Sequence, residues 1–100
     1  MRIARVIGQV TLSRRDPSLK AGSLLLVDVL DREALGKWPQ AVNRKSAMPE
    51  SLVVFDELGA GMGQLIAVSE GREATMPFYP VNVPIDAYCS AILDTVQITV

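Results

Sequence analysis

Asp56 stands three residues ahead of Gly59-Ala60-Gly61-Met62-Gly63, at the end of the apolar run Leu52-Val53-Val54-Phe55, and this junction poses the sharpest chemical question in the chain. Alternating glycines after a strand take φ > 0 without steric cost and admit another backbone, so they make a strained loop, a phosphate cradle or a tight chain-to-chain junction. A phosphate cradle needs a helix N-terminus and positive charge. Here Asp56 and Glu57 precede the glycines, the spacing is G-x-G-x-G, no long helix follows, and no Lys or Arg appears until Arg72. The loop of Asp56, Gly59, Ala60, Gly61 and Gly63 therefore reads as a packing element suited to a close junction.

The other reactive groups are dispersed. Asp56, Glu57, Asp86 and Asp94 are scattered carboxylates, accompanied by no histidine and by one cysteine, Cys89. That set lacks the usual general base near neutral pH and the commonest metal ligand. No catalytic residue, metal site or cofactor is predicted, and these carboxylates are assigned to local hydrogen bonding. Asp86 and Asp94 are the expected structural anchors. Asp94 interrupts an apolar alternation, where a buried charge needs a specific donor within the chain or across a subunit contact. Cys89 lies between Tyr88 and Ser90 with no activating base in its neighbourhood, so it reads as a small packed hydrophobe.

Ten basic and eleven acidic residues give a net charge of −1, no electrostatic footprint for nucleic acid or an anionic membrane. Trp38, Phe55, Phe78, Tyr79 and Tyr88 lack the basic groove that a single-strand stacking platform requires, and are assigned to core and loop packing. Arg14-Arg15 and Arg44-Lys45 are read as solvated loop pairs. Counted with glycine and without tyrosine, apolar content exceeds the roughly 45–50% usual for soluble domains, which points to buried subunit contacts. No apolar run approaches the roughly 18 residues of a membrane span, and Met1-Arg2-Ile3 opens into a strand pattern; the expected location is the cytoplasm. The length of 100 residues sets the expectation of one domain spanning 1–100.

Strands must position these groups. From Arg2 to Ser13 the even positions Ala4, Val6, Val10 and Leu12 are apolar, the period-two mark of a half-buried strand, with Gly8 placed for a bulge. A turn-rich stretch from Arg14 to Gly22 feeds the apolar strand 23–30, predicting a long hairpin. Residues 31–50 show no clean period and read as an exposed connection. Leu52–Phe55 and Gln64–Ser69 are predicted strands bracketing the glycines, residues 72–83 are irregular, and Pro84-Ile85-Asp86-Ala87-Tyr88 is expected to form a short helical turn. A final strand is expected from Ile92 to Val100. Five strands without a long helix define an all-β chain, a small OB-like barrel with short helical turns.

Three segments in order resemble the vertex-protein family of bacterial microcompartments, the EutN/CcmL type: Arg5-Val6-Ile7-Gly8-Gln9-Val10 through Leu24-Leu25-Leu26-Val27; Asp56 with Gly59-Ala60-Gly61 and Gly63; and Pro84-Ile85-Asp86-Ala87 followed by Ile92-Leu93-Asp94. Nearly the whole chain is covered. Gln64 departs from the family's usual acidic residue and Thr75 from an expected arginine, and the 32–51 connection is longer than in compact members. The resemblance implies a non-enzymatic shell component. Five barrels would form a homo-pentameric ring that caps the vertices of a polyhedral shell otherwise tiled by hexameric proteins, with no nucleic-acid or membrane partner. The residues by themselves leave two alternatives, an OB-fold nucleic-acid-binding module and a small ligand-binding or catalytic barrel with a pocket converging on Asp86 or Asp94.

Overall fold

The computed structural model describes residues 1–32, 35 and 50–97. Among them five strands, β1 (Arg2–Val10), β2 (Ser23–Val29), β3 (Glu50–Asp56), β4 (Leu65–Glu70) and β5 (Ala87–Leu93), close into a barrel of order β1-β2-β3-β5-β4. A short helix α1 (Arg72–Thr75) and a 3-10 turn (Met76–Phe78) follow β4. Closure leaves few unpaired edges, as the strand count and turn spacing require. The expected hairpin is present: β1 and β2 pair antiparallel from Ala4↔Val29 to Val10↔Leu24.

The barrel interior holds Ala4, Val6, Leu25, Val27, Val54, Ile66, Val68, Ala87 and Cys89, all buried. Each strand contributes alternate residues, the consequence of side chains alternating across the pleat. Fully burying a Val, Leu or Ile is worth about 1.5–3 kcal/mol, so this small cluster carries much of the subunit's stability.

Gly8 changes that pattern in a way the alternation conceals. Val6 pairs with Val27, but Gly8 pairs with Leu26, a register shift that inserts one extra residue in β1. Ala4 and Val6 therefore face the core with Val29 and Val27, while Val10, opposite Leu24, faces outward. The four even apolar positions do not share one face, as their spacing suggests; the bulge divides them between two, and Leu12 is exposed.

Two further expectations are corrected. Pro84–Tyr88 is not a helical turn: Ala87 and Tyr88 enter β5 and pair with Glu70 and Ser69. The helical turns lie earlier, at Arg72–Thr75 and around Pro77. The last strand begins five residues earlier than its alternation indicates and stops at Leu93, because its partner β4 begins opposite that residue, at Leu65. Residues 98–100 lie outside the described residues. So does most of the 31–50 connection, including Trp38, Arg44 and Lys45; within it Arg32 and Leu35 are helical, with the Leu35 amide donating to the Asp31 carbonyl at 3.0 Å.

β3 and β5 run parallel and share one backbone pair, Phe55↔Tyr88. Side chains reinforce this thin seam. Phe55, Phe78 and Tyr88 pack together on the outer surface with centroid separations of 5.9, 6.5 and 5.5 Å, and Lys20 Nζ lies 5.4 Å above the Phe78 ring. A Cβ on Gly22 would come within 2.6 Å of the Phe55 ring, so the hairpin closes onto the aromatic cluster only because residue 22 has no side chain. Across the barrel end, Arg2 binds both Glu50 oxygens at 2.7 Å and Glu70 at 2.9 Å, tying β1 to β3 and β4. These charge-assisted bonds hold Glu50 below the usual carboxylate range and keep the guanidinium protonated.

Candidate subunit junction

Asp56 ends β3 as a buried carboxylate, which costs free energy unless its oxygens are satisfied. They are: Oδ1 accepts the Leu58 amide at 3.0 Å, and Oδ2 accepts those of Gly59 at 3.0 Å and Ala60 at 2.9 Å. One side chain thus folds the chain back on itself. Gly59 has φ of 85° and Gly63 of 81°, a region in which a side chain would be strained. Gly61 is different, with no positive φ and only the Gln64 Oε1 atom, 3.6 Å away, to meet an added Cβ.

The far end of the loop is also tied. Gln64 Oε1 accepts the Gly61 amide at 2.6 Å, the Gly63 amide donates to the Val6 carbonyl at 2.8 Å, and the Val6 amide donates to the Gln64 carbonyl at 2.9 Å. Gln64, where the resemblance leads one to expect an acidic residue, therefore serves the loop's own backbone. Thr75, the other departure, caps the Arg72 carbonyl at 2.7 Å. A loop pinned at both ends carries Leu58 and Met62 outward into solvent. This is a preorganised apolar surface, not an anion site: the buried carboxylate consumes the amides that a phosphate would use.

Glu57 extends the loop's base by accepting the Tyr88 hydroxyl at 2.9 Å. Burial, and secondarily that carboxylate, raises the Tyr88 pKa. Cys89 is fully buried in the core, its thiol pushed up to about 12 by burial first and by nearby Asp56 second. A thiol held neutral is a poor nucleophile, as its reading as a packed hydrophobe requires.

The two remaining predicted anchors are not buried. Asp86 is exposed; its backbone carbonyl, not its carboxylate, accepts the Gly71 amide at 2.8 Å. Asp94 lies one residue beyond β5 in a bend, exposed, with no side-chain hydrogen bond among the described residues. The expectation of a charge inside an apolar face is thereby corrected, because the strand carrying that face ends before it. The loop, Asp86 and Asp94 are not brought together into one cluster. Among the described residues no group of three or more His, Cys, Asp or Glu side chains is placed to hold a metal ion.

Sequence reasoning missed Asp28, which is buried on the outer sheet face opposite Arg5 and accepts the Ser51 hydroxyl at 2.7 Å. A lone acid within an apolar strand was the available signal. It also missed the Arg2 bridge, whose partners are 48 and 68 residues away and leave no local trace.

A closed five-stranded barrel whose apolar-tipped loop is braced by the buried Asp56 carboxylate defines a small packing module. The chain belongs to the family described as "Ethanolamine utilisation protein EutN/carboxysome", whose model matches residues 1–94. It is similar to the carboxysome shell vertex protein CcmL of Synechococcus elongatus, with 33% identity over 98 residues covering 98% of this chain and 88% of that protein. It is also similar to the bacterial microcompartment shell vertex protein PduN of Salmonella typhimurium, with 36% identity over 99 residues covering 97% and 99%. Among solved structures, CcmL of Gloeobacter violaceus superposes with a TM-score of 0.78 at 28% identity, covering 98% of this chain and 90% of that one. The GrpN pentameric microcompartment shell protein from Rhodospirillum rubrum superposes with a TM-score of 0.73 at 28% identity, covering 99% and 100%.

Proposed function

We propose that this chain is a structural shell subunit whose pentamers cap the vertices of a bacterial microcompartment. The observation that carries the reading is a likeness of fold and sequence extending over nearly the whole chain to shell vertex proteins and to a pentameric shell protein. Geometry supplies the mechanism. A flat sheet of hexagonal tiles cannot close, and fivefold units at its corners introduce the curvature that seals a compartment around its contents. A ring of identical subunits needs head-to-tail contacts in which one surface meets a different surface of the next copy. The preorganised loop with outward Leu58 and Met62 suits such a contact.

In this reading the chain is non-enzymatic, resides in the cytoplasm within a shell, and meets hexameric shell proteins along the outer edges of the ring. Native mass spectrometry of the purified protein tests it, with a pentamer as the expected dominant species. A monomer or dimer at micromolar concentration with no larger species overturns the reading. In the producing cell, deletion is expected to leave elongated or unsealed shells in electron micrographs.

A further inference from the structure

Between β4 and β5 the chain makes an excursion from Gly71 to Asp86 whose ends are closed by one backbone bond, the Gly71 amide donating to the Asp86 carbonyl at 2.8 Å. Two side chains anchor it. Ala74 and Phe78 are buried, and the Phe78 ring packs edge-on against Phe55 and Tyr88. Beyond α1 the backbone is tied turn by turn: the Tyr79 amide donates to the Met76 carbonyl at 3.1 Å and the Val81 amide to the Phe78 carbonyl at 2.8 Å, while Pro77, Pro80 and Pro84 each fix one φ. Joined ends, buried anchors and internal bonds are what hold compact surface loops in shape.

The other side chains of this excursion do not serve the core. Met76 is 45%, Tyr79 75% and Val81 52% exposed. With Arg72, Asn82 and Val83 they line an open cavity of about 230 Å³, below the roughly 300–1,000 Å³ of sites for drug-sized ligands and scaled to a smaller molecule.

Charge in this cavity has one sign. No carboxylate lines it, and Arg72 brings its only charge at neutral pH. Glu70, the acid two residues before Arg72, is engaged by Arg2 at 2.9 Å. Arg2 is likewise satisfied, Arg15 donates to the Lys20 carbonyl, and Lys20 lies over the Phe78 ring; among the described residues the Arg72 guanidinium has no hydrogen bond or ion pair. A planar guanidinium with open donors binds a carboxylate through two parallel bonds. A bare inorganic anion would leave Met76, Val81 and Val83 against water, whereas an organic acid covers them. The walls stand in place before a ligand arrives, which limits the ordering cost of binding.

We propose that this cavity binds a small organic monocarboxylate, with its carboxylate on the Arg72 guanidinium and its apolar or aromatic body against Tyr79, Met76 and Val81. Every group involved belongs to one subunit, so the site does not depend on the ring reading.

Benzoate tests it on the purified full chain, with benzamide as the uncharged isostere and inorganic phosphate as the anion without an apolar body. Titration calorimetry is expected to show millimolar binding of benzoate and none of the other two. Arg72→Gln is expected to weaken benzoate binding about tenfold or more, the loss of a charge-assisted bond pair. Arg72→Lys keeps the charge without the fork and is expected to fall between. Tyr79→Ala is expected to weaken binding about fivefold by removing the aromatic wall. Arg14→Gln, at an exposed cation on the β1–β2 turn, is expected to leave binding unchanged. Arg72 and Tyr79 are exposed, so the circular dichroism spectrum and native mass of their variants are expected to match the parent protein. Benzamide binding as well as benzoate overturns the role of the carboxylate, and phosphate binding as well as benzoate overturns the role of the apolar wall. No benzoate binding, or binding that survives Arg72→Gln, removes the site and leaves the ring reading standing.

Discussion

Phe55 and Tyr88 form the one backbone pair that joins β3 to β5, and their rings stack with a centroid separation of 6.5 Å and an interplanar angle of 27°. A barrel seam made of so few ladder hydrogen bonds depends on its side chains. Phe55→Ala is expected to cost about 3–5 kcal/mol in urea unfolding, the range for a buried aromatic truncation. Tyr88→Phe keeps the stack and loses only the bond to Glu57, so its expected cost is about 1 kcal/mol. Equal costs for the two variants would show that the hydroxyl, not the ring stack, holds the seam.

Substitutions in the glycine loop test folding and assembly separately. Gly63→Ala forces a side chain into left-handed backbone and is expected to destabilise the subunit by about 1–2 kcal/mol. Gly61→Val meets no such strain, so it is expected to leave the unfolding midpoint of the subunit nearly unchanged while weakening the ring seen by native mass spectrometry. Asp56→Ala orphans three backbone amides and is expected to cost about 2–3 kcal/mol. A Gly61→Val protein with an intact ring would remove Gly61 from the junction.

Cys89 makes stability depend on alkaline pH. Its thiol is raised from 9.0 to about 12 in the folded state, so above pH 9 the unfolded chain ionises while the folded one holds its proton. The unfolded state then binds fewer protons, and stability falls as pH rises from 9 towards 12, after being fully present below 9. Cys89→Ser is expected to flatten that part of the stability profile measured by denaturant titration. At pH 8 the native thiol is expected to resist a disulfide exchange reagent that labels it fully in denaturant.

Asp94 sits outside the strand and exposed, so Asp94→Ala is expected to change subunit stability by no more than about 0.5 kcal/mol. Thermal unfolding below the ring's dissociation concentration measures this. A larger loss would mean that the carboxylate has a structural partner in the isolated subunit.

Much of the barrel was readable because alternation, turn residues and apolar runs are local signals, and the hairpin, both strands around the glycines and the role of Cys89 follow from them. What escaped was set by distant partners. The end of β5 is decided by where β4 begins, at Leu65 opposite Leu93, and nothing in the continuing alternation through Ile98 and Val100 reports it. The loop's brace was half visible: Asp56 before glycines suggests local capping, whereas the choice of Gly59 and Gly63, and not Gly61, for positive φ depends on the path back to β1 at Val6. Arg2, Glu50 and Glu70 meet only once the strands are in register.

The extra residue at Gly8 has a consequence for how this protein can change. Below it, Ala4 and Val6 are locked by a packed interior in which a single methylene is felt. Above it, Val10, Leu12 and their neighbour Leu24 lie on the outer face of the barrel, clear of the core cluster. One strand is thus divided into two independently adjustable halves. Substitutions in the upper half can change the surface that the barrel presents while the interior stays as it is, and a one-residue deletion at Gly8 would fuse the two halves and make every such adjustment a change to the core.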